Sequence, residues 1–456
     1  MNDFVNLIRS TTPGITWPAI PGQEAAALLA LQFQLERSQW LPPERLRELQ
    51  YRQLEVLLRH ACDTVPYYRE RWRGLYDPSR PLTSEAFSRL PLLTRDDLQA
   101  HFDTLRSNRI PPAHGPVAES HTSGSTGMPV RLLKTALVQL LWQAAVLREH
   151  QWFKRDLTGK LASIRQGVME GEADGWGPAT DAVAQTGPSV TLPIRGADVD
   201  AQLRWLERQQ PDYLLTYPSN LTELLKRSTA QGFRPVRLRE VRTFGEILTA
   251  ETRALCREVW GVSVADAYSS VETGYLALQC PEQEHYHVLS ESVLLEILDE
   301  KGAPCRPGES GRVVVTPLHN FALPLVRYEL ADFAEVGTQC RCGRGLPVLS
   351  RITGRVRNML VTADGKRYWP ALGTRAITDI APVLQYQIVQ TAPDRVEAWM
   401  VTASPLTPVQ EEGIKQHLLS KLPPGLRVVL VYCDNIPRSA GGKFEDFVSE
   451  VAVPRV

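Results

Sequence analysis

Short apolar segments alternate with amphipathic segments between about residues 160 and 270, and this pattern constrains the fold more than any other feature. The predicted strands are 160–166, 211–219, 238–246 and 262–270. Two of the predicted intervening helices, 220–232 and 249–261, end at glycine. Such alternation is typical of an α/β fold, in which helices cover both faces of a parallel sheet. In these sheets, ligands bind beyond the carboxyl ends of the strands.

The chain has 456 residues, which exceeds one ordinary domain. Residues 1–75 read as mainly helical, and residues 290–335 alternate in the manner of a small β-subdomain. After Gly354, short β segments and one helical segment predict a compact α+β domain of about 100 residues. We therefore expect a large N-terminal domain, 1–354, and a small C-terminal domain, 355–456.

Composition excludes several classes of protein. Lys plus Arg and Asp plus Glu both number 51, so the formal net charge is +0 and no global attraction to nucleic acid or an anionic membrane is expected. No stretch approaches the roughly 18 apolar residues of a membrane span, and no signal-peptide pattern is present. Seven cysteines in so long a chain do not indicate a disulfide scaffold. We expect a cytoplasmic globular protein, either a monomer or a homodimer.

The segment HTSGSTGMPV, residues 121–130, combines four hydroxyl side chains with two glycines. Glycine lets the backbone approach an anion, and hydroxyl and amide groups can bind phosphate oxygens. The segment lacks the lysine and the spacing of a P-loop. Taken alone, a Ser/Thr/Gly segment of this kind is more often a solvated loop.

Together with five further segments, which occur in the order typical of that superfamily, this segment makes the chain resemble the adenylate-forming superfamily, which joins a carboxylic acid to AMP. They are TFGEILTAETR (243–253), DAYSSVETG (266–274), VRYELADFAEV (326–336), ITGRVRNMLV (352–361) and IPRSAGGKFEDF (436–447). The resemblance implies nucleotide-binding roles for these residues: Thr122, Ser123, Gly124, Ser125, Thr126, Gly127, Gly245, Glu246, Ala267, Tyr268, Ser269, Asp332 and Arg355.

The resemblance also implies catalytic roles for Glu272 and Lys443. Glu272 would bind magnesium through a carboxylate oxygen, and Lys443 would contact the substrate carboxylate and the α-phosphate. Asp332 would accept hydrogen bonds from the ribose hydroxyls. ATP is expected at the junction of the two domains, and the hinge after Gly354 is expected to rotate the C-terminal domain between half-reactions. Taken singly, Glu272 could be an acid at a helix start, Asp332 a turn residue and Lys443 a surface charge.

Within the superfamily, the chain looks most similar to the phenylacetate–CoA ligase-like group, on the segments LLRHACDTVPYYRERW and YPSNLTELL. This similarity implies activation of an aryl or arylacetic acid by ATP, release of pyrophosphate and transfer to coenzyme A. Transfer to an amine or to a carrier-protein thiol is the alternative. Tyr217, Ser219 and Tyr275 are expected on loops near the acid. Trp142 is expected to pack in the core, with the acyl pocket as its alternative.

Three departures from the family pattern lie in the segments that carry the superfamily resemblance. Met128 stands where the phosphate loop usually has lysine, and either Arg131 or Lys134 is a candidate replacement. Leu330-Ala331 stands where Thr-Gly is usual, and Arg357-Asn358 where two aspartates are usual. These changes are compatible with adenylation and leave the acceptor open.

Cys280, Cys340, Cys342 and a nearby histidine offer three thiolates and one imidazole, a set that can bind structural zinc. The Cys-x-Cys spacing alone does not decide between a metal site and metal-free thiols. Similarity to some members of the ligase group favours zinc and favours His287 over His285. A zinc-bearing module that binds nucleic acid is the competing class, and the absence of a basic, aromatic-rich pattern argues against it.

Overall fold

The computed structural model describes residues 8–121, 129–355, 358–362, 364, 366–368, 370, 372, 377, 379–436 and 446–451. The chain divides into two compact units, Met1–Ile352 and Thr353–Val456. The boundary predicted from the sequence, Gly354, lies just beyond the division between these units.

The longest helices lie near the amino terminus and after the predicted phosphate loop. The helices are α1 (Gln23–Ser38), α2 (Pro43–Thr64), α3 (Pro66–Arg71), α4 (Ser84–Ser88), α5 (Arg95–Ala100), α6 (Phe102–Leu105), α7 (Ala136–Trp152), α8 (Pro178–Asp181), α9 (Val199–Gln209), α10 (Pro218–Gln231), α11 (Ala250–Val259) and α12 (Pro408–Lys421).

The strands of the first unit form a hairpin and one large sheet. They are β1 (Val117–His121), β2 (Arg131–Thr135), β3 (Leu161–Arg165), β4 (Gly171–Ala173), β5 (Ser189–Pro193), β6 (Tyr213–Thr216), β7 (Glu240–Phe244), β8 (Ser263–Ser270), β9 (Gly274–Gln279), β10 (Tyr286–Val288), β11 (Val293–Leu298), β12 (Ser310–Pro317), β13 (Tyr328–Val336) and β14 (Val348–Arg355).

The centre of the large sheet is parallel, which confirms the predicted α/β fold. Strand β3 pairs in parallel with β5 and β6, β6 pairs with β7, and β7 pairs with β8. Leu221 and Leu224 of α10 and Val241 of β7 are fully buried in one hydrophobic cluster. Helix α10 is followed by Gly232 with φ of +66°, a left-handed conformation that glycine adopts without strain.

The strands predicted as a β-subdomain continue this sheet. The strand order is β11-β12-β13-β14-β10-β9-β8-β7-β6-β3-β5-β4, and β9, the neighbour of β8, is antiparallel to it. Helix α2 lies on this part of the molecule, where Gln50 donates hydrogen bonds to the carbonyls of Ser290 and Val293, at 2.9 and 3.0 Å. Parallel and antiparallel strands therefore share one sheet.

The second unit is a small α+β structure. Its strands are β15 (Leu360–Val361), β16 (Arg367–Tyr368), β17 (Val383–Ala392), β18 (Arg395–Thr402), β19 (Arg427–Tyr432) and β20 (Phe447–Ser449). The last four form a sheet in the order β19-β18-β17-β20, and Ile414 and Leu418 of α12 are fully buried in the core of this unit. The buried Gln390 side chain bonds to both the N–H and the C=O of Val361, which ties β17 to β15.

A buried ion-pair network joins α7 to the parallel sheet. The Arg242 guanidinium donates to both oxygens of Glu149, at 3.0 and 2.7 Å, while Arg155 lies 2.9 Å from Glu149 and 2.6 Å from Glu240. The side chains of Glu149 and Arg155 are 3% and 1% exposed. Burial alone would raise the pKa of Glu149, but Arg242 and Arg155 outweigh it and hold that pKa well below its usual range. Glu149 is therefore a buried anion that depends on two cations.

We predict that Glu149→Gln destabilises the protein strongly, because it leaves two buried guanidinium groups without their shared anion. A broken buried ion pair typically lowers the free energy of unfolding by about 3–5 kcal/mol. Urea and thermal unfolding measure this loss. Asp200→Asn is the matched control, since it breaks a bidentate pair with Arg227 on the exposed surface, and it should change stability far less. Equal effects of the two substitutions would contradict the interpretation.

Candidate active site and metal centre

The predicted phosphate loop connects the two strands of a hairpin. Strands β1 and β2 pair in an antiparallel manner, with His121 opposite Arg131. The hairpin therefore holds the two ends of the loop next to each other. Several residues predicted to bind nucleotide or to act in catalysis lie outside the described residues: Thr122, Ser123, Gly124, Ser125, Thr126, Gly127 and Lys443.

The predicted adenine-side residues follow directly after β7. Phe244, the last residue of β7, lies opposite Ala267 of β8, so the loops that follow these parallel strands leave the sheet at the same edge. Gly245 has φ of +76°, and Glu246 accepts a hydrogen bond from the Ser219 N–H at 2.9 Å. Because Ser219 lies in the first turn of α10, the Glu246 carboxylate serves as an acceptor at this helix start.

Tyr268 and Asp332 are brought together by the sheet. The Tyr268 hydroxyl donates to Asp332 Oδ2 at 2.9 Å, although the two residues are 64 positions apart. Ser269 follows Tyr268 on β8, where the register with β9 shifts. Two residues that the family resemblance assigns to the nucleoside thus form one hydrogen-bonded pair at the end of β8.

Ala331, next to Asp332, adopts a left-handed backbone conformation with φ of +60°. The family pattern usually has glycine at this position, and glycine alone adopts this conformation freely. A left-handed alanine costs about 1 kcal/mol or more. Ala331 therefore holds a conformation beside Asp332 that glycine would adopt without strain.

Glu272 lies in the turn between β8 and β9, close to two cations. Arg95, the first residue of α5, lies 4.0 Å from the Glu272 carboxylate. Lys134 Nζ donates to the carbonyl of Val271 at 2.5 Å. Burial lowers the pKa of Lys134, and the opposing field of Glu272 raises it but does not cancel the shift. Sequence reasoning missed Arg95, because nothing in its local pattern distinguishes it from other arginines.

The residues predicted near the acid substrate do not all lie on loops. Ser219 belongs to α10 and Tyr275 to β9, which corrects that expectation, while Tyr217 precedes α10 and packs against Phe244 at a ring-centroid distance of 5.0 Å. Tyr275 stacks on Trp142 at 6.4 Å, and its hydroxyl donates to Glu149 at 3.4 Å.

Trp142 does not pack in the core. Its exposed fraction is 37%, so the expectation of core packing is wrong. Tyr275 covers part of the indole, and the exposed part leaves Trp142 as a candidate aromatic contact for a ligand.

Five potential metal ligands gather where β9, β10 and the segment 340–342 meet. The ligand atoms of Cys280, His285, His287 and Cys340 all lie within 4.8 Å of one another. Cys342 Sγ lies 3.4 Å from His287 Nε2, and the sulfur atoms of Cys280 and Cys340 are 3.8 Å apart. Ligands at the tetrahedral zinc distances would be separated by about 3.6–3.8 Å. The separations therefore suit a tetrahedral ion, and the two sulfur atoms are too far apart for a disulfide.

The protonation chemistry of this cluster also suits a metal. His287 is fully buried, its Nε2 faces Cys342 Sγ, and burial lowers its pKa to about 4, which favours the neutral imidazole that binds metals. Burial would raise the pKa of Cys342, but hydrogen bonds from Arg344 outweigh it and lower that pKa. Burial raises the pKa of Cys340 to about 12. A bound cation would compensate for the cost of ionising the buried thiols.

The hinge segment is described only in part. Arg355 is the last residue of β14, Gly354 has φ of +112°, and residues 356–357 lie outside the described residues. Asn358 donates to the carbonyl of Phe447 at 2.8 Å, within the second unit. The proposed role of Arg355 stays a prediction.

Comparisons with known proteins agree with the family resemblance, although no family model matches the chain. The phenylacetate–coenzyme A ligase of Thermus thermophilus is 27% identical over 364 residues, which cover 76% of this chain and 79% of that protein. The enzyme of the same name from Escherichia coli is 26% identical over 425 residues, covering 87% and 93%. A crystal structure of 2-hydroxyisobutyryl-CoA ligase with R3-HIB-AMP has a TM-score of 0.72 at 18% identity, covering 91% and 92%.

The α/β fold, with its large sheet and small C-terminal unit, is the fold of the 2-hydroxyisobutyryl-CoA ligase structure. By sequence, the chain is similar to phenylacetate–coenzyme A ligases. The resemblance read from the sequence is thereby confirmed. Among the described residues, we find no helix with the length and apolar character that a membrane span requires.

We predict that Glu246→Ala destabilises the first unit by about 0.5–2 kcal/mol, because the Ser219 N–H loses its acceptor at the start of α10. Urea unfolding measures the change. Glu246→Gln keeps an acceptor oxygen and should retain most of the stability. If both substitutions destabilise equally, the charge of Glu246, and not this hydrogen bond, is what matters.

Proposed function

We propose that the protein is an AMP-forming acid–thiol ligase, which activates a carboxylic acid with ATP and transfers the acyl group to coenzyme A. The observation that carries this proposal is the hydrogen bond between Tyr268 and Asp332. It joins the aromatic and the acid that the resemblance assigns to the nucleoside, at the edge of the sheet where ligands of α/β proteins bind. The phenylacetate–coenzyme A ligases among the sequence relatives support the same activity.

In the first half-reaction, an oxygen of the substrate carboxylate attacks the α-phosphorus of ATP. The bond from that phosphorus to the bridging oxygen breaks, and pyrophosphate leaves with its electron pair. Asp332 would orient the ribose by accepting hydrogen bonds from its hydroxyls, and Lys443 would stabilise charge on the carboxylate and the α-phosphate. Magnesium, when bound through Glu272, would neutralise charge on the phosphates.

In the second half-reaction, the sulfur of a thiol attacks the acyl carbonyl, the thiol proton passes to solvent, and AMP leaves. We propose coenzyme A as the thiol, in line with the names of the relatives. The proposed acids are aryl or arylacetic acids, in line with the names of the relatives, and the exposed part of Trp142, stacked on Tyr275, is a candidate aromatic contact.

We also propose a structural zinc ion bound by Cys280, His287, Cys340 and Cys342. The distances within the cluster, including 3.4 Å from Cys342 Sγ to Nε2 of the buried His287, support this assignment. With four protein ligands, such an ion has no open position for substrate. Thiolate ligands and seven free cysteines fit the reducing cytoplasm that we expect for this protein.

A pyrophosphate-release screen across carboxylic acids, with and without coenzyme A, tests the activity. We predict release with an aryl or arylacetic acid and formation of the acyl-CoA when coenzyme A is present. Lys443→Ala should lower adenylation by about 100-fold or more, because a charge-stabilising group is lost from the transition state. The same variant should still convert supplied acyl-adenylate and coenzyme A to thioester.

Three outcomes would contradict parts of this proposal. Absence of pyrophosphate release with every acid would refute the ligase function. Pyrophosphate release without formation of acyl-CoA in the presence of coenzyme A would favour an amine or a carrier protein as acceptor. Adenylation at the parental rate in Lys443→Ala would show that the lysine is wrongly assigned.

Metal analysis tests the zinc site. We predict about one equivalent of zinc in the purified protein, and its loss together with a lower unfolding temperature in Cys340→Ser. Cys305→Ser, which alters a cysteine outside the cluster, is the matched control and should retain the metal. His287→Asn should lose the metal and His285→Asn should keep it, and the reverse result would exchange the two histidines. Metal-free protein from zinc-replete expression would refute the site.

A further inference from the structure

Strand β2 carries two cations on opposite faces, directly after the predicted phosphate loop. Arg131 and Lys134 are an odd number of positions apart, and successive side chains of a strand point to opposite faces. Each residue is a candidate for the positive charge that the loop lacks at Met128. The surroundings of the two side chains separate the candidates.

Arg131 is engaged within the hairpin itself. Its guanidinium donates to both oxygens of Glu119 on β1, at 2.8 and 3.3 Å, and lies over the ring of Phe102 at 4.1 Å. A bidentate pair with a carboxylate satisfies the charge of Arg131. An anionic ligand would have to compete with Glu119 for this side chain.

Lys134 reaches the turn that carries Glu272. Its Nζ donates to the carbonyl of Val271 at 2.5 Å, and Glu272 is the charged group whose field acts on it. Arg95 approaches the same carboxylate at 4.0 Å from α5. Lys134, Arg95 and Glu272 together carry two positive charges and one negative charge, so the group of three retains one net positive charge.

This arrangement suits a polyphosphate. An ammonium has three N–H donors, and the bond to Val271 uses one of them. A partly buried cation interacts more strongly with an anion than one in bulk water. Enzymes that bind nucleoside triphosphates commonly place a lysine beside the β- and γ-phosphates, next to the acid that binds magnesium.

We propose that Lys134 binds the β- and γ-phosphates of ATP and supplies the positive charge that the loop lacks at Met128. The proposal rests on the proposed function and identifies a phosphate-binding residue that the family pattern does not contain. Strand β2 fixes the backbone of Lys134, and the Val271 carbonyl holds its ammonium beside Glu272 before nucleotide binds. The selectivity of this lysine is for the triphosphate, since AMP lacks both phosphates.

Calorimetric titration with ATP and with AMP, each with magnesium and with EDTA, tests the proposal. Lys134→Met keeps most of the apolar stem and removes the charge. It should weaken ATP binding by about 10- to 100-fold, the range expected for a hydrogen bond to a charged group, and leave AMP binding within about twofold. Lys134→Arg should restore most of the ATP affinity, and Arg131→Gln is the matched control that should change neither ligand.

The outcomes separate this inference from the proposed function. Parental ATP affinity in Lys134→Met would overturn the inference, and so would an equal loss of ATP and AMP affinity, which indicates a structural role. A loss confined to Arg131→Gln would transfer the role to Arg131. If the parental protein binds neither nucleotide, the proposed function itself fails. Thermal unfolding of each variant identifies misfolding. If Lys134→Met misfolds, Lys134→Arg tests the inference instead. Its ATP affinity must then stay within tenfold of the parental affinity, and the ATP affinity of Arg131→Gln must be unchanged.

Discussion

Phe244 at the end of β7 lies opposite Ala267 of β8, and most of the described candidate site depends on this parallel register. Parallel strands end at the same edge, so Glu246, which follows β7, and Tyr268, near the end of β8, lie toward the same edge of the sheet. A shift of one residue would move Tyr268 to the other face of β8 and separate it from Asp332. The antiparallel extension of the sheet then supplies Asp332 from β13 and the Glu272 turn between β8 and β9.

Local patterns predicted the elements of this framework but not the partners of their side chains. Gly232 marks the end of α10 because a left-handed residue there depends only on the neighbouring backbone. The fold class and the family relationship were also predictable, since motifs in a fixed order carry far more information than one motif. Arg95, by contrast, meets Glu272 across 177 positions of sequence, and no local signal specifies such a pairing. The network of Glu149, Arg155 and Arg242 was missed for the same reason.

The first unit contains two different solutions to the cost of burying polar groups. Glu149 lies between Arg242 and Arg155, so its negative charge is matched by protein cations. His287 is equally buried, and its Nε2 lies 3.4 Å from Cys342 Sγ, beside two further thiols. Burial disfavours ionisation of these thiols, and a metal ion compensates for that cost by binding thiolate and imidazole together. In the ion-pair network, protein groups alone compensate for the buried charge, whereas the Cys/His cluster needs a metal ion for this compensation.

The departures from the family pattern have structural explanations of two kinds. Ala331 has a left-handed backbone, which the glycine of the family pattern would adopt without strain and alanine adopts at some cost. Met128 removes a cation from the loop, but Lys134 brings one to the Glu272 turn from the next strand. In the first case the backbone has a conformation that suits glycine, and in the second we propose that the charge comes from a different backbone position. Electrostatic stabilisation of phosphates depends on where the charge lies and not on which segment supplies it, which is why a nucleotide site can tolerate such a relocation.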